Sequence, residues 1–246
     1  MAKNNKDLKK IEDHRRINDI LLGPLERPAI AWLVKKMPQW VTPDHLTFFG
    51  FAASILIGAS YALSGINKNY LWLANLGFFL NWFGDSLDGN LARYRKIERP
   101  KYGFFIDHVV DTASEVIIFI GIGLSPYVDL NLALLALVAY LCMANLVYIT
   151  TSVEGVFKIS YGRLGPTEIR VLAMIANAVV FFLGNPQVNL PWIDISLYNL
   201  IISCIIALLF FFFISTTITQ AVEFERKDRN EWLKKLDAHK KAEEKK

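Results

Sequence analysis

The chain has 246 residues, 53% hydrophobic and only 20% charged, with a formal net charge of +4. Soluble domains average about 45–50% apolar and about 25% charged residues, whereas here the mean hydropathy is +0.31. The 27 Lys and Arg are clumped: nine in 1–42, one (Lys68) in 43–92, five in 93–101, three in 102–170, none in 171–222 and nine in 223–246. Long apolar runs between the clumps exclude a soluble enzyme, a disordered tail protein and a nucleic-acid binder. They predict an all-α integral membrane protein that crosses the lipid bilayer several times. Cys142 and Cys204 lie in apolar runs and read as small hydrophobes, with no disulfide framework.

Residues 1–41 are expected to form a cytoplasmic and interfacial segment. The first 28 residues are too charged to hold the apolar stretch of about 7–15 residues that a secretory signal needs, so no signal is expected. Ile30, Leu33, Val34 and Met37 follow the spacing of one helix face. This predicts an amphipathic helix in the interface plane; the alternative is a cytoplasmic helix packed on the protein. Residues 42–222 form the membrane domain, with six spans predicted at 46–63, 69–91, 103–124, 132–150, 168–183 and 195–222. Of the 27 basic residues, 26 fall at the termini or in alternate loops. The positive-inside rule then predicts cytoplasmic termini. Residues 223–246 alternate Glu, Arg, Lys and Asp and read as a charged, helical cytoplasmic tail.

The second and third predicted spans carry Asp85, Asp88, Asp107 and Asp111. One Asp at mid-span costs about 2.5–3.5 kcal/mol on insertion scales, so such residues are functional by default. The i,i+3 spacing of Asp85 and Asp88 and the i,i+4 spacing of Asp107 and Asp111 put each pair on one helix face. The short basic turn between the spans predicts antiparallel neighbours and one four-carboxylate cluster. Four like charges in an apolar medium require cations, and hard divalent ions with oxygen ligands fit. Two bridged metals suit the ligand count. Gly89 and Ala92 lie one turn from Asp85 and Asp88, where missing bulk admits a ligand or a neighbouring helix. Intramembrane carboxylates also mark cation transporters, which is the competing reading from another class.

Asp85-x2-Asp88-Gly89-x2-Ala92-Arg93-x9-Gly103-x3-Asp107-x3-Asp111 resembles the signature of the CDP-alcohol phosphotransferase family, with eight fixed positions between 85 and 111. The stretch Thr42-Pro43-Asp44-His45-Leu46-Thr47 resembles the family weakly, with Asp44 where Asn is usual. Arg99-Pro100-Lys101-Tyr102 lacks the Ser or Thr often found before Gly103. The resemblance implies a phospholipid-synthesis enzyme. A CDP-alcohol, with CDP-diacylglycerol favoured, gives its substituted phosphoryl group to an acceptor alcohol and CMP leaves. The alternative is transfer from a CDP-linked small alcohol to diacylglycerol, toward which His108 in Asp107-His108-x2-Asp111 points; a helix-packing role for His108 is equally open.

The resemblance further implies that Asp85, Asp88 and Asp107 hold two Mg²⁺ or Mn²⁺ ions. Asp111 completes the cluster and acts as general base on the acceptor hydroxyl. Gly89, Ala92, Arg93 and Gly103, with Asp85 and Asp88, would contact the CDP moiety. Lys158, Arg163 and Arg170 are candidates for an acceptor phosphate, with Arg170 either facing the polar cavity or snorkelling to the interface. Thr167 is placed to cap the fifth span just after Pro166. Glu115, one turn past Asp111, is a candidate outer ligand or a helix contact. The resemblance also implies a homodimer. The membrane is expected to be the cell (inner) membrane, or the endoplasmic reticulum in a eukaryote, with the active site on the cytosolic side.

Overall fold

A computed structural model describes residues 21–154, 165–189, 191 and 194–243. Its elements are helices α1 (Gly23–Lys36), α2 (Pro43–Leu63), α3 (Tyr70–Arg95), α4 (Pro100–Leu124), α5 (Leu130–Glu154) and α6 (Pro166–Leu183), strands β1 (Gln187–Asn189) and β2 (Asp194–Ser196), and helix α7 (Leu197–Glu243). The helix starts are written in the sequence. Thr42 caps α2, its hydroxyl accepting from the His45 amide at 3.2 Å while His45 Nδ1 accepts from the Thr42 amide at 3.3 Å. Proline occupies the first turn of α2, α4 and α6, where its missing N–H costs nothing. Helix α3 ends on Lys96, whose φ of 57° reverses the chain toward α4.

Among the described residues, four helices, α2, α5, α6 and α7, are long and apolar enough to cross a membrane. Six spans were expected. The two others, α3 and α4, have 26 and 25 residues, length enough for a span. Asn75, Asn81, Asp85 and Asp88 on α3 and Asp107, Asp111 and Glu115 on α4 reduce the apolarity of these two helices. The loop after α6 holds a two-stranded antiparallel ribbon, with Val188 paired to Ile195. Helix α7 runs without a break from the apolar stretch into the charged tail, 47 residues in all.

Helix α2 is the centre of the packing: α3 and α4 both lie against it and make little contact with each other. The expected antiparallel α3–α4 neighbours are therefore replaced by two helices flanking a third. Small residues make this possible. A Cβ at Gly84 would stand 2.5 Å from the Leu46 carbonyl oxygen and 2.6 Å from the Gly50 nitrogen. On the other side, a Cβ at Gly58 would stand 2.8 Å from the Ile117 carbonyl oxygen, and one at Gly121 would collide with Gly58. Away from the motif, a polar chain ties α2, α3 and α6. Tyr61 donates to Asn177 at 2.8 Å, Asn177 to Asn75 at 2.8 Å, and Asn75 to the Met174 carbonyl at 3.2 Å. It lies beside an apolar cluster that includes Ile57, Leu71, Ala74 and Phe78.

The apolar stripe of α1 packs on the protein. Val34 is buried against Val41, Leu46, Leu87 and Leu91, with Ile30, Leu33 and Met37 at its edge. The opposite side leaves Leu25 and Trp32 exposed. Glu26 fixes the helix to the bundle, accepting from Trp82 Nε1 at 2.8 Å, Ser86 Oγ at 3.0 Å and Thr167 Oγ1 at 3.1 Å. Thr167 is thus spent on Glu26 instead of capping α6, and Glu168 reaches back to the Gly165 amide at 2.9 Å. Arg95 donates to the carbonyls of Met37, Pro38, Gln39 and Val41, locking the turn between α1 and α2.

Replacing Gly84 with Val is expected to force α2 and α3 apart and cost about 1–3 kcal/mol. Gly89→Ala, whose added carbon meets nothing nearer than the Arg93 guanidinium at 3.5 Å, is expected to leave the unfolding temperature in detergent unchanged. Asn177→Leu strips Tyr61 of its acceptor and Asn75 of its donor, with an expected loss of about 1–3 kcal/mol in the same thermal measurement.

Candidate active site

One cavity opens among α2, α3 and α4. Thr47, Gly50 and Phe51 of α2, Asn81, Asp85 and Asp88 of α3, and Asp107, Val110, Asp111 and Ser114 of α4 line it. Helical period places them: Asn81, Asp85 and Asp88 share one face of α3, and Asp107, Asp111 and Ser114 share one face of α4. The four aspartates of the motif therefore meet around one space, although their helices hardly touch. Gly50 and Gly84 stand at the same level, so the backbone contact of α2 with α3 sets the width of the cavity.

Asp88 and Asp85 are each held by a side chain from another helix. Asp88 is buried, with 8% exposure, and its Oδ2 accepts from Thr47 Oγ1 at 2.6 Å. Asp85 Oδ2 accepts from Arg170 Nη2 at 2.6 Å, a bond that brings α6 to the site. Asp107, His108 and Asp111 each offer one ligand atom, and these atoms lie within 4.8 Å of one another. The His108 ring packs edge-on against Phe104, centroids 4.1 Å apart, and stacks on Tyr148 at 5.0 Å. Ser114 Oγ is buried, has no hydrogen-bond partner among the described residues and lines this polar space.

The other expected residues divide. Gly89 and Ala92 follow Asp88 along α3, and Arg93 Nη2 donates to the Asn90 side-chain Oδ1 at 3.1 Å. Gly103 is exposed near the start of α4 with nothing within 4 Å of its missing side chain. Glu115 interacts with Tyr140 of α5 and does not line the cavity. Lys158 and Arg163 lie outside the described residues. Thr47, Asn81 and Ser114 were not anticipated; Asn81 at i−4 from Asp85 and Ser114 at i+3 from Asp111 carry the periodic signal that would have found them. The two departures from the family signature touch: Arg99 pairs with Asp44 and lies over the Tyr102 ring at 4.3 Å.

Carboxylates from two helices, with hydroxyls from two, make an oxygen-rich donor set suited to a hard divalent cation. The chain is 28% identical over 187 residues to cholinephosphotransferase 1 of Rattus norvegicus, covering 72% of this chain and 46% of that protein. The Gallus gallus protein of the same name is 27% identical, with 72% and 55% covered. Archaetidylinositol phosphate synthase of Methanothermobacter thermautotrophicus is 28% identical over 173 residues, with 69% and 83% covered. The chain thus spans roughly half the length of these cholinephosphotransferases. The sequence pattern that defines the CDP-alcohol phosphatidyltransferases matches residues 40–211, and the chain belongs to that family.

Proposed function

We propose that this protein moves a substituted phosphoryl group from a CDP-alcohol, with CDP-diacylglycerol the favoured donor, to an acceptor alcohol and releases CMP. The observation that carries this reading is the convergence of Asp85, Asp88, Asp107 and Asp111 on one cavity. These four would hold two Mg²⁺ or Mn²⁺ ions, which would supply charge neutralisation for the donor's pyrophosphate. Thr47 holds Asp88 in its ligating orientation. Asp111 accepts the proton of the acceptor hydroxyl as that oxygen attacks phosphorus and the bond to CMP breaks. Gly89, Ala92, Arg93 and Gly103 form the wall for the cytidine nucleotide. Arg170, with Lys158 and Arg163, would hold an acceptor phosphate.

The same reading places α3 and α4 across the bilayer with the other four helices. The basic clumps hold both termini and the site on the cytosolic side. Helix α1 would rest at the interface with Leu25 and Trp32 toward lipid. Residues 42–222 act as the membrane domain between the segment 1–41 and the tail 223–246, and a homodimer is the proposed assembly. The membrane would be the cell membrane of a prokaryote or the endoplasmic reticulum of a eukaryote. A second reading, transfer of a CDP-linked small alcohol to diacylglycerol, draws on His108 and on the names of the cholinephosphotransferase relatives. The similar length of the archaeal relative, 83% of which is covered, supports the first. Membership of the family favours either transfer over the cation-transport reading.

The purified protein in detergent is expected to release CMP only when a CDP-alcohol, an acceptor and Mg²⁺ or Mn²⁺ are all present. A panel of donors and acceptors names the pair. Asp111→Asn is expected to lower the rate by about 100-fold or more while the protein stays folded; an unchanged rate, or full activity in EDTA, would overturn the mechanism. Thr47→Val is expected to raise the metal concentration needed for half-maximal rate about 10-fold or more, and Thr47→Ser to restore it, both read from metal titrations of CMP release.

A further inference from the structure

We propose that Arg170 is a positioning residue that competes with the divalent cation for Asp85, so that metal binding frees the guanidinium. This rests on the metal-site reading above. The contact is made on a ligating atom: Arg170 Nη2 lies 2.6 Å from Asp85 Oδ2, with the side chains 16% and 25% exposed. A guanidinium stays charged at any working pH. An oxygen that carries it is a poorer donor to a metal, and the two cations repel at short range.

The arm that delivers Arg170 is fixed. Gly165 and Pro166 start α6, Glu168 accepts from the Leu22 amide at 2.7 Å and the Gly165 amide at 2.9 Å, and Thr167 bonds Glu26. The guanidinium is therefore held at the cavity by α6 and α1 together. Glu115 and Tyr140, which the metal does not use, interact electrostatically with Arg170 as well, so a displaced side chain has an acidic and a polar group to move toward. In the metal-free protein Arg170 offsets part of the repulsion within the cluster. In the metal-loaded protein it becomes available to an anionic group. Such coupling is reciprocal: whatever Arg170 costs the metal, the metal costs the Arg170–Asp85 pair.

The test measures Mn²⁺ affinity by electron paramagnetic resonance on the full chain in detergent after EDTA treatment. Arg170→Gln is expected to bind Mn²⁺ about fivefold or more tightly than the wild type and to unfold at a lower temperature in EDTA. Arg170→Lys should return the affinity toward the wild-type value. Equal or weaker Mn²⁺ binding by a folded Arg170→Gln overturns the proposal. A second measurement needs no variant: phenylglyoxal labelling of the wild type, mapped by peptide mass spectrometry, should rise at Arg170 when Mn²⁺ is added, and an unchanged or lower label overturns the proposal. If the wild type binds no Mn²⁺, the metal-site reading falls as well. If it binds Mn²⁺ and releases CMP but Arg170→Gln binds no tighter, this inference alone fails.

Discussion

The backbone contact between Gly50 of α2 and Gly84 of α3 sets the position of everything the site needs. At Gly84 no side chain heavier than hydrogen fits, since the missing Cβ would fall within 2.7 Å of three atoms of α2. Small residues bring helices together where lipid offers no hydrophobic driving force between them. The neighbour of Gly84 is Asp85, so the closest approach of the two helices and the first carboxylate are one residue apart. On its other side α2 meets α4 through Gly58 and Gly121. One helix with small residues on two faces thus fixes two carboxylate pairs whose own helices scarcely touch.

Charge is the second constraint. The cavity gathers four carboxylates, and a low-dielectric surround makes their repulsion costly. The protein answers in kind at each of two positions: an ion pair from α6 at Asp85 and a hydroxyl from α2 at Asp88. These partners arrive from opposite ends of the chain, and neither belongs to the eight-position motif. The site is therefore wider than its signature, and its extra parts sit on the helices that also anchor the fold.

Much of this was legible in the sequence, for definite reasons. Four acids within apolar runs stand out because they are expensive there, and the spacings of 3 and 4 fixed their faces without knowledge of the fold. The wedge was not legible: a short turn between two helices suggests that they pair, and nothing in the turn tells of a third helix between them. The stripe of α1 was correctly grouped, but amphipathicity does not say what covers a face, and Val41, Leu46, Leu87 and Leu91 cover this one. The anchoring roles of Glu26 and Glu168 carried no signal in the sequence. The partners that tie them to other elements lie 56 to 146 residues away, beyond the reach of any local pattern. Thr167 was read as a cap by the same local logic and is drawn instead to Glu26.

Helix α7 continues from the bundle into its charged tail without a break, to Glu243. Its last 21 residues, after Val222, form a rod of about 31 Å at a rise of about 1.5 Å per residue. Glu223–Lys227 and Glu225–Arg229 pairs one turn apart stiffen its first part. A rod joined rigidly to a packed helix is a lever: a slight change of tilt where α7 meets α5 becomes a displacement of several times that size at the tip.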